Sequence, residues 1–136
     1  MLDHISPESL LFLDIETVSS YPSYEELPEK IQLLWDKKAK FIAEDGQKPS
    51  EVYGKAGIFA EFGKIICISV GLIVPDNGKF GARIKSFAGD DEKSLLEEFN
   101  RMLHNYSAKK DFTLCAHNGK EFDFPFIARR MLVNRL

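Results

Sequence analysis

The clearest β signal in this sequence is the stretch KIICISVGLIV, which runs from Lys64 to Val74. It is apolar and rich in isoleucine and valine, as buried strands are. The next four residues, 75–78, end in Asn-Gly, a pair that tolerates positive φ and favours a tight turn. The stretch from Phe80 to Phe87 then interleaves apolar and basic residues. The pattern predicts a β-hairpin.

The segments on either side of this hairpin complete an α/β pattern. Hydrophobic periodicity and turn residues predict strands at 10–13 and 112–116, helices at 24–44, 92–107 and 122–136, and a short helical turn at 58–61. A hairpin followed by strands that are linked through helices indicates a mixed sheet packed by helices. The sequence therefore predicts an α/β fold.

Composition and charge restrict the class of protein. The chain has 136 residues, 44% of them hydrophobic, which is enough for one domain with a packed core. The net charge of −3 gives no support for nucleic-acid binding through bulk electrostatics, although a nuclease site is itself acidic. No apolar run reaches the roughly 18 residues of a membrane span. The N-terminal segment MLDHISPESL has no secretory pattern, so a cytoplasmic location is expected.

Two cysteines, Cys67 and Cys115, each lie in an apolar run. They are predicted to be buried free thiols, because thiols stay reduced inside cells. A zinc site would need more Cys or His residues at close spacing than this sequence offers.

Asp14 and Glu16 lie at the end of the first predicted strand, with one residue between them. Side chains two residues apart point to the same face of an extended chain, so the two carboxylates project together. Like charges side by side repel, and a divalent cation between them would relieve that repulsion. Carboxylate oxygens suit Mg²⁺ or Mn²⁺. The alternative is a pair of acids that simply face solvent at a strand end, since an Asp-x-Glu triplet is common by chance.

A second candidate segment, HNGKEFD, runs from His117 to Asp123 and leads into the last predicted helix. Asp123 falls in the first turn, where a carboxylate interacts favourably with the helix N-terminus. The same location also lets Asp123 point over the sheet edge towards Asp14, because functional groups gather where strands end beside loops. Both interpretations of Asp123 stay open at this point. His117 is interpreted as a hydrogen-bonded structural group rather than a metal ligand.

Basic and aromatic side chains offer further candidates for contact with nucleic acid. Arg129, Arg130 and Arg135 lie on the helix that carries Asp123 and are candidates for phosphate contact, with an ordinary solvated face as the alternative. Trp35 is predicted to lie in the core rather than to stack on bases, because it is in helical register with Ile31.

The segment FLDIET, from Phe12 to Thr17, resembles the first motif of the DEDD superfamily of 3′→5′ exonucleases. His117–Gly119, together with Phe122 and Asp123, is similar to the second motif. The stretch FGKIICISVG at 62–71 resembles the strand between them. Within the superfamily, the sequence looks like the predicted exonucleases related to the proofreading domain of family B DNA polymerases. The resemblance spans nearly the whole chain, and the two motifs in this order are more specific than either alone.

This resemblance implies a ribonuclease-H-like mixed sheet flanked by helices, in a single domain over residues 1–136 with a helical insertion at about 22–60. The implied activity is metal-dependent hydrolysis of phosphodiester bonds at nucleic-acid 3′ ends, with single-stranded DNA favoured over RNA. The implied catalytic acids, which in the family bind two Mg²⁺ or Mn²⁺ ions, are Asp14, Glu16 and Asp123. The implied substrate-binding residues are Thr17, Asn118 and Phe122.

The sequence departs from the family in its third motif, a tyrosine or histidine followed four residues later by aspartate. No such pair follows Asp123. We therefore expect the C-terminal part of the domain to lie outside these 136 residues, and this fragment to be nearly inactive without the fourth carboxylate and the group that activates water. Two alternatives stay open. One is a catalytically silent ribonuclease-H-like module that binds nucleic acid or a partner protein, and the other is a metal enzyme of the same fold that cleaves internally, such as a resolvase.

Overall fold

The computed structural model describes residues 6–136. The chain folds into an α/β protein with a four-stranded mixed sheet in the order β3-β2-β1-β4. The strands are β1 (Leu10–Ser19), β2 (Gly63–Asp76), β3 (Lys79–Ala88) and β4 (Thr113–Cys115), and the α-helices are α1 (Glu29–Ile42), α2 (Glu92–Ser107) and α3 (Asp123–Val133). Short 3-10 helices cover Pro7–Ser9, Tyr24–Glu26 and Tyr53–Ile58. The mixed sheet with helices that the sequence predicts is thus confirmed.

The chain divides into two units. The first contains the chain up to Glu16 and the segment Ile65–Leu136, and the second is Thr17–Lys64. The first five residues, which contribute to the inference that no secretory leader is present, lie outside the described residues.

The predicted hairpin is confirmed. β2 and β3 pair antiparallel from Cys67 opposite Ala88 to Asp76 opposite Lys79. The two residues between the strands, Asn77 and Gly78, have φ values of 47° and 79°. A two-residue hairpin loop needs positive φ at both positions, which is why Asn-Gly occupies it.

β1 and β4 are parallel, with Leu10 opposite Thr113 and Phe12 opposite Cys115. The connection between β3 and β4 runs through α2. The Asp91 carboxylate caps this helix by accepting hydrogen bonds from the Lys93 backbone N–H at 3.1 Å and the Ser94 hydroxyl at 2.6 Å. The buried face of α2 carries the leucine and phenylalanine side chains that the helical spacing predicts, Leu95, Leu96 and Phe99.

The second unit has its own core, centred on Trp35, which is fully buried as predicted. The indole ring lies edge-on to Tyr53, with centroids 5.2 Å apart, and to Phe62 at 5.0 Å. The indole N–H donates to the carbonyl oxygen of Pro49 at 2.9 Å. Every polar atom of this side chain is therefore paired, which removes the cost of burying it.

Several predicted boundaries are wrong. β1 continues to Ser19, so the two acids lie within the strand and not at its end. The predicted helix at 24–44 is interrupted: Pro28 has ψ 141°, outside the helical range, and α1 begins after it. The predicted turn at 58–61 is present one residue later, where the Phe59 carbonyl oxygen accepts hydrogen bonds from the N–H groups of Phe62 and Gly63, and the 3-10 helix Tyr53–Ile58 precedes it. The last helix, α3, ends at Val133. Cys67 and Cys115 are free, as predicted, but only half-buried.

Among residues 6–136, no helix is both long enough and apolar enough to cross a membrane.

Candidate metal site

Asp14 and Glu16 project from the same face of β1. Burial alternates along the strand: Leu11, Leu13 and Ile15 are at most 6% exposed, whereas both acids are exposed. Strand pleating produces this alternation, because successive side chains point to opposite faces of the sheet. The shared face that the spacing of the two acids predicts is therefore present.

Asp123 is the first residue of α3 and is only 3% exposed. Its carboxylate accepts a hydrogen bond from the backbone N–H of Ile15, the residue between the two acids of β1. The start of α3 is thereby attached to the strand at the level of Asp14 and Glu16. This hydrogen bond brings together two segments that are more than 100 residues apart in the sequence.

Burial raises the pKa of the Asp123 carboxyl group, because desolvation penalises its charged form, and the negative charge of Asp14 raises it further. The backbone N–H groups of Asp123 and Ile15 act in the opposite direction, as does the nearby His117. The net pKa lies above the ordinary value of an aspartate. A buried carboxylate beside a second carboxylate creates a site that favours the binding of a cation.

A tight loop positions Asp123. Asn118 adopts the left-handed conformation with φ 55°, which asparagine tolerates better than most residues. Its carbonyl oxygen accepts hydrogen bonds from the backbone N–H groups of Glu121 at 3.0 Å and Phe122 at 3.1 Å. Gly119 is buried, and a Cβ atom there would lie 2.6 Å from the Cβ of Ala116 and 2.8 Å from the Cζ of Phe124. Only glycine fits this position, so the close packing of this loop fixes the start of α3.

The predicted substrate residues lie in three different settings. The side chain of Asn118 is exposed and borders a shallow cleft of about 440 Å³ beside β4. The ring of Phe122 is half-buried and packs against Phe126, with centroids 5.4 Å apart. Thr17 is half-buried on β1, in the second unit. The structure therefore gives Asn118 the most accessible side chain of the three.

The donor chemistry of the three acids fits Mg²⁺ or Mn²⁺, since both ions take carboxylate oxygens. Across the part of the chain from Ser6 to Leu136, however, no three Asp, Glu, His or Cys side chains converge closely enough to hold an ion. Asp123 and Asp14 are near enough to interact electrostatically. The structure thus brings the segments of Asp14, Glu16 and Asp123 together without arranging their carboxylates as a complete ligand set.

His117 and Arg130 lie in surroundings that differ from those the sequence predicts. His117 is exposed, and within residues 6–136 its side chain makes no hydrogen bond, so its interpretation as a hydrogen-bonded structural group is wrong. It acts electrostatically on Asp123. Arg130 is 8% exposed and is bound to Glu92, so the prediction that it contacts phosphate is wrong. The signal that could have identified this is the helical spacing, since Arg130 follows the buried residues Asp123 and Ile127 at i+7 and i+3.

No protein-family model matches this chain, and no curated protein matches it significantly.

Proposed function

We propose that this protein belongs to the ribonuclease-H-like 3′→5′ exonucleases and hydrolyses phosphodiester bonds at the 3′ ends of single-stranded DNA with Mg²⁺ or Mn²⁺. The observation that carries this proposal is the hydrogen bond from the Ile15 backbone N–H to the buried Asp123 carboxylate. Through it, the second acidic motif contacts the first on β1. The sheet order 3-2-1-4, with a β2–β3 hairpin and parallel β1 and β4, supports the ribonuclease-H-like fold in this proposal.

Asp14, Glu16 and Asp123 are the residues that would hold the metal. When bound, the metal supplies a Lewis acid that offsets negative charge on the phosphate and makes water easier to deprotonate. The protein's own contribution is to keep Asp123 dry and fixed by two backbone N–H groups while Asp14 and Glu16 stay open to solvent. This division would let the exposed pair hold a metal ion that the phosphate can reach, while the buried acid preserves the geometry.

His117 is exposed beside Asp123 and lies near enough to offset its charge. Imidazole nitrogen atoms donate and accept protons, so His117 is suited to carry a proton to or from the departing strand. Asn118 offers an exposed amide next to the shallow cleft, and amides donate to phosphate and sugar oxygens.

The test is degradation of a 5′-labelled single-stranded oligonucleotide by the full-length gene product with Mn²⁺. A ladder of labelled products that shorten one nucleotide at a time is expected. Asp14→Asn should reduce the rate by at least about 100-fold, since each missing metal ligand removes transition-state stabilisation. The matched control is Asp111→Asn, an exposed acid before β4 that should leave the rate unchanged.

A second candidate function is a catalytically silent module that binds nucleic acid or a partner protein. The same hydrogen bond favours it, because a buried aspartate that joins α3 to β1 has a sufficient structural role. Equal amounts of shortened oligonucleotide from wild type and Asp14→Asn would contradict the proposed exonuclease activity and support this binding module. Cleavage of a circular single strand would instead indicate an endonuclease, since a circle has no 3′ end.

A further inference from the structure

A groove on the first unit lies between the β3 edge of the sheet and α2, and has a volume of about 820 Å³. This volume is within the range of ligand-binding clefts. We call it the basic groove. Its apolar floor includes Val70 and Leu72 of β2 and Met102 of α2. An apolar floor of this kind favours a ligand with apolar side chains.

The charged residues that line the basic groove are mostly cations. They are Arg83, Lys85, Arg101 and Lys109, against a single acid, Glu98. The whole chain has a net charge of −3, so the groove is opposite in sign to the rest of the molecule. Within residues 6–136, no carboxylate forms a salt bridge with any of these four cations. Their charges are therefore available to an acidic ligand.

A protective role explains only part of this charge. Lysine and arginine on an edge strand prevent pairing with other chains, and β3 is an edge strand. That role covers Arg83 and Lys85. It does not cover Arg101 and Lys109, which face the same groove from α2 and from the residues just after it.

The floor does not suit nucleic-acid bases, which bind single-stranded sites by stacking on exposed rings. Phe87 is 3% exposed and lies beneath the Lys85 ammonium group, 4.5 Å from the ring centroid. The ring of Tyr106 is packed against Phe112, with centroids 5.2 Å apart. The remaining apolar residues are aliphatic or methionine, and methionine adapts to varied apolar side chains.

The basic groove is also separate from the candidate metal site. Leu11, which lines the groove, and Asp14 alternate in burial along β1 and so belong to opposite faces of the sheet. A ligand in the groove would leave Asp14 and Glu16 exposed. The inference is therefore independent of the proposed exonuclease activity.

We propose that the basic groove binds an acidic amphipathic helix of a partner protein. The apolar side chains of that helix would occupy the floor beside Leu72 and Met102, and its carboxylates would meet Arg83, Arg101 and their neighbours. Helix-in-groove recognition uses this division between an apolar face and a charged rim. Charge complementarity would provide specificity and a strong dependence on salt.

The test uses a fluorescein-labelled synthetic peptide with leucines at i, i+3, i+4 and i+7 and glutamates between them. Fluorescence anisotropy should show binding in the micromolar range that weakens as salt is raised. Arg101→Glu should weaken binding at least about tenfold, since it replaces an attraction with a repulsion at an exposed position. Met102→Asp tests the apolar contact at a half-buried position of the floor and should also weaken binding. The matched control is Lys79→Glu, an exposed β3 residue outside the groove, which should have no effect.

A peptide with lysines in place of the glutamates should not bind. The proposal is overturned if the acidic peptide does not bind, or if Lys79→Glu weakens it as much as Arg101→Glu. It is also overturned if oligothymidylate binds more tightly than the peptide and displaces it, because the groove would then be a nucleic-acid site. Circular dichroism of each variant verifies that the fold is retained.

Discussion

Arg130 of α3 and Glu92 of α2 form a buried ion pair, with the Arg130 Nη2 atom 2.6 Å from Glu92 Oε2 and the Nε atom 2.9 Å from Oε1. The Glu92 carboxylate also accepts hydrogen bonds from the Ile65 backbone N–H at 2.7 Å and from the Asn134 side-chain amide at 2.9 Å. One carboxylate thus joins the start of α2, the end of α3 and β2. Since Arg130 lies seven residues after Asp123, this cluster fixes the helix that carries the candidate metal ligand.

Glu92→Ala is expected to lower the free energy of unfolding by about 3–5 kcal/mol, because it removes the carboxylate that neutralises the buried Arg130 charge. The double variant Glu92→Leu/Arg130→Met should recover most of this loss, since an apolar pair of similar volume needs no desolvation of charge. Urea unfolding followed by circular dichroism measures both values. Glu97→Ala, an exposed position on the same helix, is the control and should change stability by less than about 0.5 kcal/mol. A double variant as unstable as Glu92→Ala would contradict the loss of this neutralisation as the cause.

Glu92 also predicts a dependence of stability on pH. Burial raises the pKa of its carboxyl group, but the hydrogen bonds from Arg130, Ile65 and Asn134 together with the Arg130 charge outweigh burial, so the net pKa lies below the ordinary 4.5. A carboxyl group with a lowered folded-state pKa stabilises the fold above its unfolded-state pKa. This contribution is complete above about pH 5 and is lost as pH falls through 4.5 to the lowered value.

The measurement is the urea midpoint of wild type and Glu92→Gln between pH 7 and pH 3. The wild-type midpoint should fall more steeply below pH 4.5 than that of Glu92→Gln, which has no carboxyl group to protonate at this position. Glu97→Gln should keep the wild-type slope. Parallel curves for wild type and Glu92→Gln would show that Glu92 has the same pKa in both states.

The parts of the fold that sequence predicts best are those set by local pattern. The hairpin follows from one apolar run and from Asn77-Gly78, whose backbone requirement is local. The buried pair Glu92 and Arg130 depends on a contact between residues 38 positions apart, which periodicity does not encode. Helical spacing puts Arg130 on the buried side of α3, but a charged residue on a helix is expected to be solvated, so the sequence does not predict its pairing with Glu92. The face shared by Asp14 and Glu16 was predictable because strand geometry alone determines it.

The tight contact at Gly119 predicts the effect of a single methyl group. In Gly119→Ala, the new Cβ would lie 2.6 Å from the Ala116 Cβ and 2.8 Å from the Phe124 ring. Overpacking of this kind costs about 1–3 kcal/mol, and thermal unfolding should report the loss. Gly89→Ala is the matched control, since a Cβ there meets nothing within 4 Å. Equal stability of Gly119→Ala and wild type would show that the loop shifts without strain.

Asp123→Asn tests the metal site without an activity assay. Asparagine keeps an oxygen that can accept the Ile15 N–H but removes the charge that burial penalises, so the variant should be at least as stable as wild type in EDTA. Mn²⁺ at ten times its dissociation constant should stabilise wild type by about 1.4 kcal/mol, and the Asp123→Asn variant by much less. Thermal unfolding with and without Mn²⁺ measures both effects.

Asp111→Asn is the control for this experiment, because it removes one exposed carboxylate away from the site and should retain the full Mn²⁺ effect. Asp14→Asn should lose the stabilisation by Mn²⁺, as Asp123→Asn does, since both acids are assigned to the same ion. If Mn²⁺ stabilised wild type and Asp123→Asn equally, Asp123 would not be a ligand. Its hydrogen bond to Ile15 would then be a purely structural link between α3 and β1.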